Sequence, residues 1–131
     1  MFRFLSLPIL CLAVLNFGCS NGKNEPAEQP VKGQVMLDGK PMAEGEVTFA
    51  VPGLPGRPMA VANGAFSGKA LPGINRVEVR SFKAGPPLST DVEKKPTMVN
   101  FLPDKYSFQS KLEADVKAGG ANDYKFEITS K

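Results

Sequence analysis

The side chains able to carry covalent chemistry are few. The 131-residue chain has no histidine and two cysteines, Cys11 and Cys19. Nucleophilic catalysis of the Ser-His-Asp or Cys-His kind needs an imidazole base, so neither can operate here. Zinc sites draw on Cys and His, and neither is available in number. Paired carboxylates could cleave glycosides. Glu113 and Asp115 share a strand face, and Glu127 is expected on the same face of the neighbouring strand. Lys117 and Lys125 share those faces, which suits a mixed, solvated surface better than an acid–base pair. Asp38, Asp104 and Asp123 stand at turns, and no Asp-x-Asp-x-Asp-Gly calcium loop occurs. Sugar stacking would use exposed aromatic rings. The chain has no tryptophan, Tyr124 alternates with Phe126 as a core residue does, and Tyr106 follows a turn where a packed ring is expected. The sequence therefore predicts no enzyme, with no catalytic, cofactor-binding or metal-binding residue.

Charge narrows the partners. The formal net charge is +3, and the two signs are interspersed along the chain. Nucleic-acid binding shows clustered Lys and Arg, so no nucleic acid is expected. One local group stands out: Lys83, Lys94, Lys95 and Lys105, with Lys111 beyond, flank the long polar, proline-containing stretch 83–96. Loops of that length are uncommon in compact domains and are usually functional or mobile. These lysines mark a possible interaction loop, able to meet anionic envelope polymers or headgroups.

The N-terminus has the layout of an export signal. Arg3 supplies one positive charge, and residues 4–17 are apolar apart from Ser6 and Asn16, with Pro8 inside the run. That run is shorter than the roughly 20 helical residues a bilayer span needs, and it fits a signal-peptide hydrophobic region. Polarity then switches abruptly at Gly18, Cys19 and Ser20. Asn16-Phe17-Gly18-Cys19 resembles the end of bacterial lipoprotein signals at Gly18 and Cys19, and departs from it at Asn16 and Phe17. The resemblance implies acylation of Cys19 and a membrane-anchored lipoprotein of the bacterial cell envelope. The alternatives are an ordinary signal peptide cleaved nearby and an uncleaved anchor. Residues 20–30 contain no large apolar side chain and read as a flexible tether, reaching on the order of 20 Å. The expected organisation is a signal peptide over 1–18, a tether over 19–30 and one domain over 31–131.

That domain reads as all-β. Glycine (13) and proline (12) are frequent, and no segment after Cys19 sustains helical periodicity. Val31–Leu37 alternates, and Asp38-Gly39 is a turn. Residues 46–51 alternate again, and 52–58 form a proline-rich loop. Met59–Ala62 and Phe66–Lys69 flank Asn63-Gly64, a hairpin signal. A strand over 75–82 should turn Val77 and Val79 inward and Arg76, Glu78 and Arg80 outward. A short apolar segment at 98–102, an alternating strand at 111–117 and a final one at 124–128 complete about seven strands. Their spacing suits a β-sandwich.

Val31-x-Gly33-x-Val35-x-x-Asp38-Gly39-Lys40-Pro41, followed by Val47-x-Phe49, resembles the opening of carboxypeptidase regulatory-like domains, which are transthyretin-like (prealbumin-type) sandwiches. Asn63-Gly64-Ala65-Phe66 is similar to that family's hairpin without its acidic residue. Residues 73–79 are similar to its Gly-x-Tyr-x-Val-x-Val strand, with Asn75 in place of tyrosine. Leu102-Pro103-Asp104-Lys105-Tyr106-Ser107 and the 112–117 strand resemble segments of small bacterial lipoproteins that carry this domain alone. The likeness implies a fold and a location but no activity. The expected role is a structural or protein-interaction module, anchored to a membrane and binding an unknown envelope protein or polymer. The alternative is a module that binds carbohydrate or another envelope polymer.

Overall fold

The computed structural model describes residues 24–131. The signal segment 1–18, Cys19 and the first tether residues lie outside the described range. From Glu25 onward the chain is already fastened to the domain. Arg57 spans two carboxylates, bonding Glu28 through Nε and Glu25 Oε2 through Nη2 at 3.0 Å, while Nη1 donates to the Pro55 carbonyl oxygen at 3.0 Å.

Strand β1 (Gln29–Leu37) starts inside the stretch read as tether, because Gln29 and Pro30 pair with Ala70 and Lys69. Asp38 and Gly39 then take φ of 50° and 80°, the double positive turn that returns the chain into the short β2 (Lys40–Pro41). β3 (Glu44–Ala50) and β4 (Arg57–Ala62) form an antiparallel pair. Arg57 and Pro58, expected in the loop, belong to β4. Proline is tolerated there because β4 meets its other neighbour at one residue pair only, so most of that edge carries no ladder.

The hairpin at Asn63-Gly64, with φ of 50° and 78°, leads into β5 (Ala65–Ala70), and β6 (Gly73–Arg80) follows. Ser81 breaks the strand expected to run to Phe82. Its Oγ donates to the Glu44 carbonyl oxygen at 2.7 Å, and its N–H donates to Asn100 Oδ1 at 3.1 Å. The chain is thereby diverted into β7 (Phe82–Gly85), which pairs with β8 (Thr97–Asn100) as a separate two-stranded arm. A 3₁₀ turn (Asp104–Tyr106), β9 (Leu112–Val116) and β10 (Asp123–Ile128) complete the fold.

The main sheet runs β10-β1-β5-β4-β3-β6-β9, with β2 beside β1. All its pairs are antiparallel except β1 with β10. Because β4 and β5 pair only at Ala62 and Ala65, the sheet curls over at that hairpin. The fold is all-β, a seven-strand path closed into a sandwich-like form. Phe49 on β3 holds the two sides together. It is fully buried, and its ring lies 5.9 Å from Phe66 on β5 and 5.7 and 6.3 Å from Tyr124 and Phe126 on β10. Val35, Val47, Val77 and Val79, each fully buried, pack around it, as the period-2 pattern predicts.

Strand direction gives the molecule two poles. The start of β1, the end of β3, the starts of β4, β6 and β10 and the end of β9 share one pole. Their registers fix this: Gln29 faces Ala70, Phe49 faces Arg57, Ala50 faces Arg76, Gly73 faces Val116 and Lys32 faces Asp123. Here the N-terminal segment enters. Asn122 secures the pole from the interior of the 118–122 turn, where its Oδ1 accepts from Lys117 N–H at 2.9 Å and its Nδ2 donates to Lys117 O at 3.0 Å. The opposite pole holds the ends of β1, β6 and β10 and the start of β3, about 26 Å of strand away.

At that distal pole the C-terminus is clipped to the first turn. The Asp38 carboxylate accepts from Ser130 Oγ at 2.6 Å and from Ser130 N–H at 3.0 Å. The hydroxyl bond, reinforced by the amide, holds the Asp38 pKa below its ordinary 3.8. The clip's contribution is present above pH 3.8 and is lost as pH falls through the depressed folded value. In an NMR titration the Asp38 carboxyl carbon should titrate below 3.8, and Ser130→Ala should move the midpoint up towards it. An unmoved midpoint would show that the clip does not form in solution.

Candidate functional site

The carboxylates singled out for acid–base work do not converge. β9 and β10 are the two ends of the sheet path and not neighbours, so Glu127 does not share a surface with Glu113 and Asp115 through strand pairing. Asp115 pairs with Lys117 at 3.3 Å, Glu127 with Lys125 at 3.3 Å, and Glu113 stands opposite Arg76 in the ladder. Among the described residues no group of three or more His, Cys, Asp or Glu side chains is placed to hold a metal ion. No described helix is long and apolar enough to cross a membrane.

Glu78 departs from expectation in a different way. Its strand position points it to the outer face, yet it is only 9% exposed. Arg76 and Arg80 fold over it from either side: Arg76 bonds Oε1 and Arg80 Nη2 lies 2.7 Å from Oε2. Arg76 also donates to the Phe108 carbonyl oxygen at 3.0 Å, tying the 107–111 segment to β6. The triad is a structural clamp of two guanidinium groups on one carboxylate. Asn75 is 1% exposed and donates through Nδ2 to the Leu71 and Gly73 carbonyl oxygens. It ties down the turn entering β6.

Tyr106 packs as expected. Its hydroxyl lies 3.1 Å from Thr129 Oγ1 and accepts from Thr129 N–H at 3.1 Å, and these bonds lower its pKa. Tyr124 donates to the Asp115 carbonyl oxygen at 2.7 Å, and its burial raises its pKa.

The surviving candidate is the arm. The stretch expected as a loop has no strand over residues 86–96, but it joins β7 and β8 into a β-hairpin that leaves β6 at the distal pole and returns at Phe101, whose N–H donates to Ser81 O at 3.1 Å. The four lysines of the possible interaction loop all issue from this pole, but they are engaged separately. Lys83 lies on β7 with its Nζ 5.3 Å from the centre of the Phe101 ring. Lys94 takes φ of 49° at the tip. Lys95 pairs with Glu93. Lys105 sits in the 3₁₀ turn, with Nζ 5.1 Å from the Tyr106 ring centre and 2.9 Å from the Lys131 carbonyl oxygen. They do not form one cationic patch.

What the charge pattern hid is apolar exposure. Phe82, Leu88, Val92, Met98 and Val99 are all exposed on the arm, Val92 almost completely at 97%. A solvated loop has no need of five such side chains, two of them at the tip and three on the strands. The signal in the sequence was Val92 between Asp91 and Glu93, and Met98-Val99 after Pro96. Cross-strand register puts Phe82 and Met98 on one arm face. That face overhangs the outer surface of β3 and β4, leaving a shallow groove of about 360 Å³ rimmed by Glu44, Glu46 and Ala60.

No known protein identifies this surface. The chain matches no protein-family model, no curated protein and no solved structure. The arm therefore has to be interpreted from its own chemistry.

A two-stranded hairpin alone is marginally stable in water. This one is pinned at its root by Ser81 and Asn100 but has no sheet beyond it. It lies at the far end of the strands from the segment held by Arg57.

Proposed function

We propose that this chain is an exported lipoprotein, held to a bacterial membrane through Cys19, whose transthyretin-like β-sandwich is a non-catalytic interaction module. The observation that carries the reading is the exposed apolar arm at the pole opposite the N-terminal segment. With the tether fastened by Arg57 at the proximal pole, a membrane anchor at Cys19 turns the arm outward, away from that membrane. The sandwich then acts as a spacer and the arm as the contact element. The short apolar run, Gly18 before Cys19 and the polar residues after it support the anchor. Strand addition supports the mode of contact, because β7 and β8 pair only with each other and each has an open edge.

The test uses a photo-crosslinking residue at Val92 or Met98 in intact cells, with Lys125 on the sheet surface as the comparison. The arm positions should give discrete adducts, and replacing residues 86–96 by a short turn should abolish them. If Lys125 crosslinks equally, or the adducts survive loss of the arm tip, the arm is not the contact element. In the same cells Cys19→Ser should move the chain out of the membrane fraction. Retention there would remove the lipid anchor from the reading.

A further inference from the structure

The N-terminal segment is fastened at two points in series. The inner one is Gln29, which pairs with Ala70 in the sheet and whose Oε1 accepts from Gly119 N–H at 3.0 Å. The outer one is Arg57, whose single guanidinium bonds Glu28, Glu25 at 3.0 Å and the Pro55 carbonyl oxygen at 3.0 Å. Three bonds from one planar group fix its orientation. The Arg57, Glu25 and Glu28 side chains are 24%, 31% and 37% exposed, so the contact is partly withdrawn from water. Because β1 is secured from Gln29 onward, residues 25–28 can lie against Arg57 or come away without disturbing the sheet.

This arrangement bears on how the domain sits if the chain is anchored at Cys19, the reading on which the inference rests. With Glu25 held, residues 19–24 join anchor to domain, a span of at most about 20 Å however they are arranged. With the outer point open, the link becomes residues 19–28 and reaches about 35 Å. The surface that the shorter link brings to the lipid suits it. The three turns at the proximal pole, 51–56, 71–72 and 118–122, contain no charged residue, so headgroups approach them with no charge to desolvate.

We propose that Arg57 is a clasp that sets the working length of the tether. Closed, it seats the proximal pole on the lipid headgroups and holds the arm at a fixed height. Open, it releases residues 25–28 and lets the domain rise from the surface. Ion pairs this exposed are loosened by salt, so ionic strength shifts the clasp between its two states.

The test uses the full acylated chain on vesicles of phosphatidylethanolamine and phosphatidylglycerol. A dye on Ala121→Cys reports the pole, and nitroxide-labelled headgroups quench it at short range. Arg57→Gln should lower the quenching at least twofold. Glu25→Gln with Glu28→Gln, which leaves the sheet untouched, should do the same. High salt should lower it in the unaltered chain and have little effect on either variant. Exchanging the charges, with Arg57→Glu, Glu25→Arg and Glu28→Arg together, should restore it. Equal quenching in all of them, with the chain still on the vesicles, would overturn the clasp and leave the anchor standing. So would a loss confined to Arg57→Gln, which would mark Arg57 as a residue of the fold alone. If the unaltered chain carries no acyl group and stays off the vesicles, anchor and clasp both fall.

Discussion

Replacing Phe49 by alanine should destabilise the domain by about 3–5 kcal/mol, the range for truncating a fully buried phenylalanine. Phe49 has no exposed surface, and its ring touches both halves of the curled sheet. Each of its three ring contacts adds about 0.5–1.5 kcal/mol beyond area burial. The neighbours cannot close the gap cheaply. Phe66 and Phe126 already stack on each other at 6.1 Å, and Tyr124 stacks on Phe126 at 6.2 Å with its hydroxyl held by Asp115. Chemical denaturation followed by far-UV circular dichroism measures the loss. A domain of this size has only about 5–15 kcal/mol of stability, so the variant should be partly unfolded at 37 °C. A change below 1 kcal/mol would mean that Phe49 does not join the two halves.

Gly33→Ala should be nearly as severe although it adds a single methyl group. A Cβ at this position would overlap the Tyr124 carbonyl oxygen and come within 2.8 Å of the Phe66 ring. The ring could rotate, but the carbonyl belongs to the β1–β10 ladder, where Gly33 and Tyr124 stand opposite. Overpacking usually costs about 1–3 kcal/mol, and a backbone collision belongs at the top of that range. The damage should be directional. β10 is an end strand with β1 as its one partner in the sheet, so amides of residues 124–128 should lose hydrogen-exchange protection ahead of β3 and β6. Uniform loss, or none, would show that β10 does not lie as close to β1 as the fold requires.

Much of the fold was legible in the chain itself. Val47, Phe49, Val77, Val79, Phe126 and Ile128 alternate with polar neighbours, and period-2 burial is a local property that needs no knowledge of partners. Asp38-Gly39 and Asn63-Gly64 were readable because few residues tolerate positive φ. The arm was legible only in part, as the short apolar segment at 98–102. Its strands are four residues each, too short to show alternation. One carries a lysine and a glycine, and the polar tip between them looks like a loop. Pairing between residues up to 18 positions apart, such as Phe82 with Asn100, is set by where the chain leaves and returns to the main sheet.

The candidate site divides the same way. Lysine identity at positions 83, 94, 95 and 105 was visible, but a linear sequence does not say what an ammonium group rests on. Aromatic rings hold two of the four and a neighbouring carboxylate a third. Glu78 likewise looked solvated because alternation assigns a face and not its covering; Arg76 and Arg80 provide the covering from the same strand.

By itself, the sequence determined that this is an all-β chain without a histidine-based site, and which residues line its strands. Both follow from residue identity and nearest-neighbour geometry. Tertiary structure decided which strands became sheet ends, so that Glu127 was parted from Glu113 and Asp115. It also decided that the polar stretch after β6 would stand out as an apolar arm opposite the N-terminal segment. Strand order and direction arise from long-range pairing, whose energy is spread over the whole ladder and belongs to no single residue.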